Sequence, residues 1–322
     1  MNMVLSHWSA NPVVLTAIAA VAVTHLLGMR ASLGEARRLG RPRPPAILAQ
    51  ATVFYGGLCA VLVALASPVA YRAGEYVWIR SIQDVLLAVV APSLIVLGGP
   101  WLALRLGAAA FLQPAAAAGM PVRQGRPGGQ GRAQRPPRPD RRPGPASPAR
   151  SWLQPAVVTT VAFNVAWISW HLPGPYDAVL RQPAASAAEV VTYLGLGIAF
   201  WLQLIGSGPL TPRLAPLSRV MLVAVTATCT SALAMVLMFG AQRLYPAYAG
   251  LGHRVLGIVA DQQLGGAVLL AVALPPFVIT AIALCVRWLA AEESEALSAG
   301  FDRLLRPSAS AWPSWPGYRS VK

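Results

Sequence analysis

Seven mostly apolar stretches, each near the length a helix needs to cross the roughly 30 Å hydrocarbon core of a bilayer, constrain this chain more than any other feature. They lie near residues 10 to 29, 47 to 70, 82 to 104, 153 to 170, 187 to 206, 217 to 240 and 264 to 289. In hydrocarbon each backbone amide must find its partner within its own segment, so runs of this length fold as helices. The chain is therefore expected to be an all-α integral membrane protein with about seven transmembrane helices. Of its 322 residues only 11% are charged and 56% are hydrophobic, with a mean hydropathy of +0.54. Soluble domains carry about 25% charged residues, so this deficit points to a surface that faces lipid.

The net charge of +15 is concentrated in a few connecting segments. Arg30, Arg37, Arg38, Arg41 and Arg43 follow the first run, and a series from Arg105 to Arg150 follows the third. Arg213 and Arg219 follow the fifth, and Arg287 closes the seventh. The positive-inside rule then places the N-terminus outside and the C-terminus in the cytoplasm. The chain is expected to cross a membrane several times, with the lipid bilayer as the main partner. The first run lacks a preceding basic region and reads as a span, not a cleaved signal.

The domain reading is a three-span half over residues 1–106, a linker over 107–152, a four-span half over 153–290 and a cytoplasmic tail over 291–322. The linker is Arg, Pro and Gly-rich without hydrophobic periodicity, which predicts disorder. It has no interleaved aromatics, so it reads as a solvated topogenic loop, and nucleic acid is not an expected partner. Cys59, Cys229 and Cys285 fall in separate apolar runs, giving neither a disulfide framework nor a thiolate metal site. Pro68, Pro92, Pro100 and Pro275-Pro276 predict kinks or ends. Gly56, Gly57, Gly195, Gly197, Gly265 and Gly266 predict close helix approaches. Thr226, Thr228, Thr230 and Ser231 read as structural, bonding back to their own helix.

The richest short stretch runs from Trp170 through His171, Pro173 and Pro175 to Tyr176 and Asp177, where the fourth run meets water. With the N-terminus outside, Arg80, Gln83, Asp84, His171, Tyr176, Asp177, Glu189, Asp261, Gln262 and Gln263 all fall at one outer level. Ionisable residues at a membrane boundary mark function when several converge. Arg80 and Asp84, at i and i+4, are placed to pair. Asp261 is expected to cap its own helix and offset its dipole.

Several of these stretches together resemble the multi-pass CtaG family of cytochrome c oxidase assembly factors. The resemblance rests on Leu65-Ala66-Ser67-Pro68, Gln83 with Leu86-Leu87 and Ala91-Pro92, Trp170-His171-Leu172-Pro173 with Tyr176-Asp177, Glu189 with Phe200-Trp201, Tyr245-Pro246-Ala247-Tyr248, and Asp261-Gln262-Gln263-Leu264 before Gly266. It covers most of the chain outside the linker and tail. It implies a membrane-embedded assembly role for a haem-copper oxidase, a link to copper homeostasis at the outer face, and oxidase subunits or other copper-handling proteins as partners.

The departures are equally specific. Where the family's third span opens with His-x-x-Gln-His, this chain has Arg80-Ser81-Ile82-Gln83-Asp84; where the fifth opens with His-x-x-Glu-His, it has Ser186-Ala187-Ala188-Glu189-Val190. The Met-Trp that usually follows the Asp-Gln-Gln segment is Leu269-Leu270. Imidazole suits copper and zinc, thioether suits Cu(I), and arginine ligates neither. The substitutions therefore argue against copper as a cofactor and predict a degenerate metal site, for which His171 with Met235 and Met238 are the residual candidates.

Other classes are less well supported. A small-solute or proton pathway using Asp84, Glu189 and Asp261 is the alternative from a different class. The one lysine, Lys322, excludes a retinal Schiff base in the last span. His7 and His253 on one side and His25 on the other do not form an axial haem pair. Neither GxSxG nor HExxH occurs, and no enzyme activity is expected.

Overall fold

The computed structural model describes residues 8, 11–40, 46–112, 149–250 and 256–305 as helices joined by short connections. In chain order these are α1 (Pro12–Arg38), α2 (Ala46–Ala66), the short α3 (Pro68–Arg72), α4 (Val77–Val85), α5 (Ala91–Gly98) and α6 (Trp101–Leu112). They are followed by α7 (Ala149–Trp170), α8 (Pro173–Arg181), α9 (Pro183–Leu204), α10 (Pro216–Phe239), α11 (Ile258–Val268) and α12 (Leu274–Leu305). Among the described residues there is no β-strand. The protein is an all-α membrane protein.

Among the described residues six stretches are long and apolar enough to cross a membrane: Pro12–Arg38, Ala46–Ala66, Val77–Gly98, Pro183–Leu204, Pro216–Phe239 and Ile258–Ser298. The stretch expected as the fourth span is shorter, an apolar helix over Pro155–Trp170 within α7. The third span ends earlier than hydropathy suggests. Gly99 takes a left-handed φ of 57° and stops it, and α6 begins two residues later as a separate helix. Residues 113–148 of the expected linker lie outside the described residues, whereas its edges, 107–112 and 149–152, belong to α6 and α7. His7 and His253 also lie outside them, and the expected tail begins inside α12.

Two spans share one construction. The third is α4, a π-helical turn over Leu86–Val90, then α5; the last is α11, a π-helical turn over Leu269–Ala273, then α12. In each a proline follows at once, Pro92 or Pro275. Proline lacks an amide hydrogen and its ring crowds the carbonyl four residues back, and the wider π turn makes room for it. The Ala88 carbonyl at that point lies against α9, where a Cβ added to Gly197 would sit 2.6 Å from its oxygen.

The tightest crossing joins α1 and α6. A Cβ on Gly28 would fall 1.7 Å from the Ala103 carbonyl oxygen, and one on Gly107 would fall 1.9 Å from that of Thr24. Of the glycines expected at close approaches, Gly57, Gly197, Gly265 and Gly266 are at crossings. Gly195 has open space beside it and a Cβ on Gly56 would only touch Leu94 Cδ1 at 3.9 Å, since spacing alone does not say which helix face meets a neighbour. Between α7 and α10 the Asn164 side-chain amide donates to Thr226 at 3.0 Å, so Thr226 joins two helices, while Thr228 bonds back to Ala224 as expected. The centre is aromatic: Phe163 stacks on Phe200 at 4.9 Å, and Trp201 on Phe277 at 5.7 Å.

Candidate functional site

The polar residues nearest the start of the third span are organised by one guanidinium. Arg80 lies on α4, where its Nε donates to Asp84 Oδ1 at 3.1 Å, one turn further along the same helix. Its Nη2 donates to Glu189 Oε2 on α9. The same group lies 5.7 Å from the ring centroid of Tyr176 on α8. Arg80, Asp84, Tyr176 and Glu189 are all buried.

His171 reaches the cluster because α7 cannot continue past it. Pro173 occupies the first turn of α8, and the amides of His171 and Leu172 bond three residues back, to Ile168 and Ser169, tightening the last turn of α7. The ring Nδ1 lies 2.8 Å from the Trp167 carbonyl oxygen, an acceptor, so Nδ1 carries the hydrogen. That leaves Nε2 facing Asp84 Oδ2 at 3.7 Å. The ring is enclosed by Trp167, Tyr176 and Tyr193, and the Tyr245 hydroxyl donates to the His171 carbonyl at 2.8 Å.

Charge counting constrains this group. One guanidinium faces two carboxylates, and a buried net charge costs several kcal/mol. The cluster becomes neutral with a single proton held among Asp84, Glu189 and His171. The Asp84 Oδ2, His171 Nε2 and Glu189 Oε1 atoms are buried without a hydrogen-bond partner and are where that proton can reside. Around them the phenols of Tyr176, Tyr245 and Tyr248 are pushed up by burial, which keeps them protonated. Tyr245 stacks on Tyr176 at 4.0 Å, and the Tyr248 hydroxyl donates to the Ala73 carbonyl at 2.8 Å.

The remaining expected residues do other work. Asp261 does not cap its own helix, whose preceding residue is Gly257; its two oxygens accept from the amides of Val77 and Trp78, at 3.0 and 3.1 Å, capping α4 across the helix crossing. Gln262 Oε1 accepts from the Leu244 amide at 3.0 Å, and Gln83 Nε2 donates to the Ala64 carbonyl at 2.8 Å, tying α4 to α2. Asp177 on α8 is half-buried with Oδ1 unpartnered, and Gln263 is half-buried on α11. Met235 is 46% exposed on the outside of α10, and Met238 backs onto Gly266. The sequence reading missed Tyr193, although it lies one helical turn from a residue it did identify, Glu189.

The donors that could hold a metal are one imidazole and two carboxylates, and Arg80 already holds an oxygen of each carboxylate. A fixed positive charge at the centre opposes a cation, and hard oxygen donors are poor ligands for Cu(I). Among the described residues no three His, Cys, Asp or Glu side chains are arranged to hold a metal ion. The residues present do not fit copper.

A family model described as cytochrome c oxidase caa3 assembly factor (Caa3_CtaG) matches residues 31–291. No curated protein and no solved structure matches the chain.

Proposed function

Because the chain belongs to the cytochrome c oxidase caa3 assembly factor family, we propose that it is a non-catalytic factor in a bacterial cytoplasmic membrane that assists a haem-copper oxidase without holding copper itself. The observation that carries this reading is Arg80. Its guanidinium stands at the position where the resemblance implies a histidine, and it bridges Asp84 and Glu189. A site that would otherwise gather ligands is closed by an ion pair. In this reading the N-terminus lies outside and the cluster at the outer level, where it fixes α4, α8, α9 and the end of α7 as one surface for oxidase subunits or copper-handling partners.

A proton or solute pathway through Asp84, Glu189 and Asp261 is less well supported. Both Asp261 oxygens are engaged by backbone amides.

Two measurements test the proposal. In a strain lacking the protein, the reduced-minus-oxidised spectrum of membranes should lose the haem-copper oxidase signal, and the wild-type chain should restore it; an unchanged spectrum would remove the assembly role. Purified protein loaded with Cu(I) under reducing conditions and washed should retain far less than one copper per chain. Stoichiometric copper would show that the ion-paired cluster does not exclude the metal. Orientation is read separately: a C-terminal green fluorescent protein fusion should fluoresce and an externally added protease should reach an N-terminal tag.

A further inference from the structure

A second polar feature lies at the opposite end of the bundle from the Arg80 cluster, where α5 and α9 end and α10 begins. A cavity of about 490 Å³ is bounded there by Leu97, Leu204, Ile279 and Leu284, with Arg219 and Arg287 both on its wall. Leu97 is 48% exposed and Ile279 65% exposed, so the cavity opens sideways onto the outer surface of the helices. Its apolar walls come from membrane-spanning stretches.

The two arginines share this space. Among the described residues no carboxylate lies within salt-bridge distance of either one. Arg219 makes one long hydrogen bond, from Nη1 to the Leu204 carbonyl at 3.4 Å, and its Nε is buried with no partner. An arginine at a membrane boundary ordinarily extends its head into water. Here a guanidinium nitrogen is instead held inside the bundle, which costs free energy unless an acceptor arrives from outside. The first turn of α10 adds to the positive field, since Ala215 before it offers no side-chain cap.

We propose that this cavity binds one anionic phospholipid, with its phosphate between Arg219 and Arg287 and an acyl chain along Leu97, Leu204, Ile279 and Leu284. Paired guanidinium forks match phosphate oxygens, and basic pockets between spans at the arginine-rich side of a membrane protein recognise such headgroups. A free phosphate would satisfy the arginines but leave the apolar wall uncovered. The occupant with both parts is a lipid. The site is independent of the oxidase reading.

The test is native mass spectrometry of the full-length chain, delipidated in a neutral detergent and titrated with phosphatidylglycerol, phosphatidylcholine or inorganic phosphate. One phosphatidylglycerol should remain bound in preference to phosphatidylcholine, and inorganic phosphate should not displace it. Affinity should fall about fivefold for each arginine removed, first in Arg287→Gln, whose side chain is exposed, and then in Arg219→Gln/Arg287→Gln. Equal retention of both lipids, unchanged retention in Arg287→Gln, or displacement by inorganic phosphate alone would overturn the proposal.

Discussion

Replacing Arg80 with methionine tests the centre of the molecule directly. The substitution keeps a flexible, apolar but shorter chain and deletes the charge and its donors. Arg80 pairs with two buried carboxylates, Asp84 at 3.1 Å and Glu189. Removing one partner of a buried ion pair costs about 3–5 kcal/mol, because the remaining charge is left uncompensated. Two carboxylates lose the same partner here, but each can be neutralised by taking up a proton. The expected loss for Arg80→Met is therefore near the upper part of that range, about 4–5 kcal/mol, and not its double. Replacing all three groups by apolar residues of similar volume, as Arg80→Met/Asp84→Leu/Glu189→Met, should recover most of it. Arg80→Lys should fall between, since an ammonium cannot reproduce the fork that serves both carboxylates. Equilibrium unfolding by SDS in mixed micelles, followed by far-UV circular dichroism, measures each step. A loss below about 1 kcal/mol in the single variant, or a triple variant no more stable than the single one, would refute the argument that the pair is buried and mutually dependent.

Other positions give sharper local outcomes. Asp261→Ala should destabilise by about 1–2 kcal/mol through loss of the cap on the Val77 and Trp78 amides, with Asp261→Asn milder, and hydrogen exchange should rise at the start of α4 and not at the start of α11. Gly28→Ala should cost about 1–3 kcal/mol or more, since its Cβ would fall 1.7 Å from the Ala103 carbonyl oxygen. Gly34→Ala on the same helix, with nothing within 4 Å, should instead stabilise by about 0.5–1 kcal/mol; thermal unfolding of the two variants in one detergent separates them. Arg80→His/Asp84→His removes the guanidinium and frees Glu189, and elemental analysis after washing should then show copper or zinc above the wild-type level.

The architecture was legible in hydropathy because lipid imposes one requirement on every span, and that requirement appears as a run of apolar residues. The pairing of Arg80 with Asp84 was legible because a helix places i and i+4 together. What hydropathy could not carry was rotation. Whether Glu189 faces Arg80, or Gln83 faces Ala64, depends on how each helix is turned about its axis, and nothing local to the residue decides that. Asp261 shows the consequence. Its position near the start of a helix suggested a local cap, yet its carboxylate serves amides that precede it by 184 and 183 residues. The end of the third span was misplaced for a related reason: Trp101 to Leu112 is as apolar as the span before it, and the boundary lies in the backbone of Gly99.

The two π turns explain how one helix can serve two surroundings. A π turn inserts about one residue relative to α-helical register, which rotates the halves on either side by roughly 100° about the axis. In the third span the polar half, with Arg80 and Asp84, faces the cluster, while the half after the turn presents Ile95 to α2 through the close approach at Gly57. The last span repeats this order, with Asp261 and Gln262 before the turn and Phe277 stacked on Trp201 after it. The two polar halves pack on each other, Gly265 against Ser81, while Asp261 caps α4. Without the added rotation, a single straight helix that aimed Arg80 at Glu189 would turn a different set of apolar residues toward α2 and α9. The prolines following each turn hold it in place, so the polar cluster and the packed core below it are set by the same two interruptions in the helical ladder.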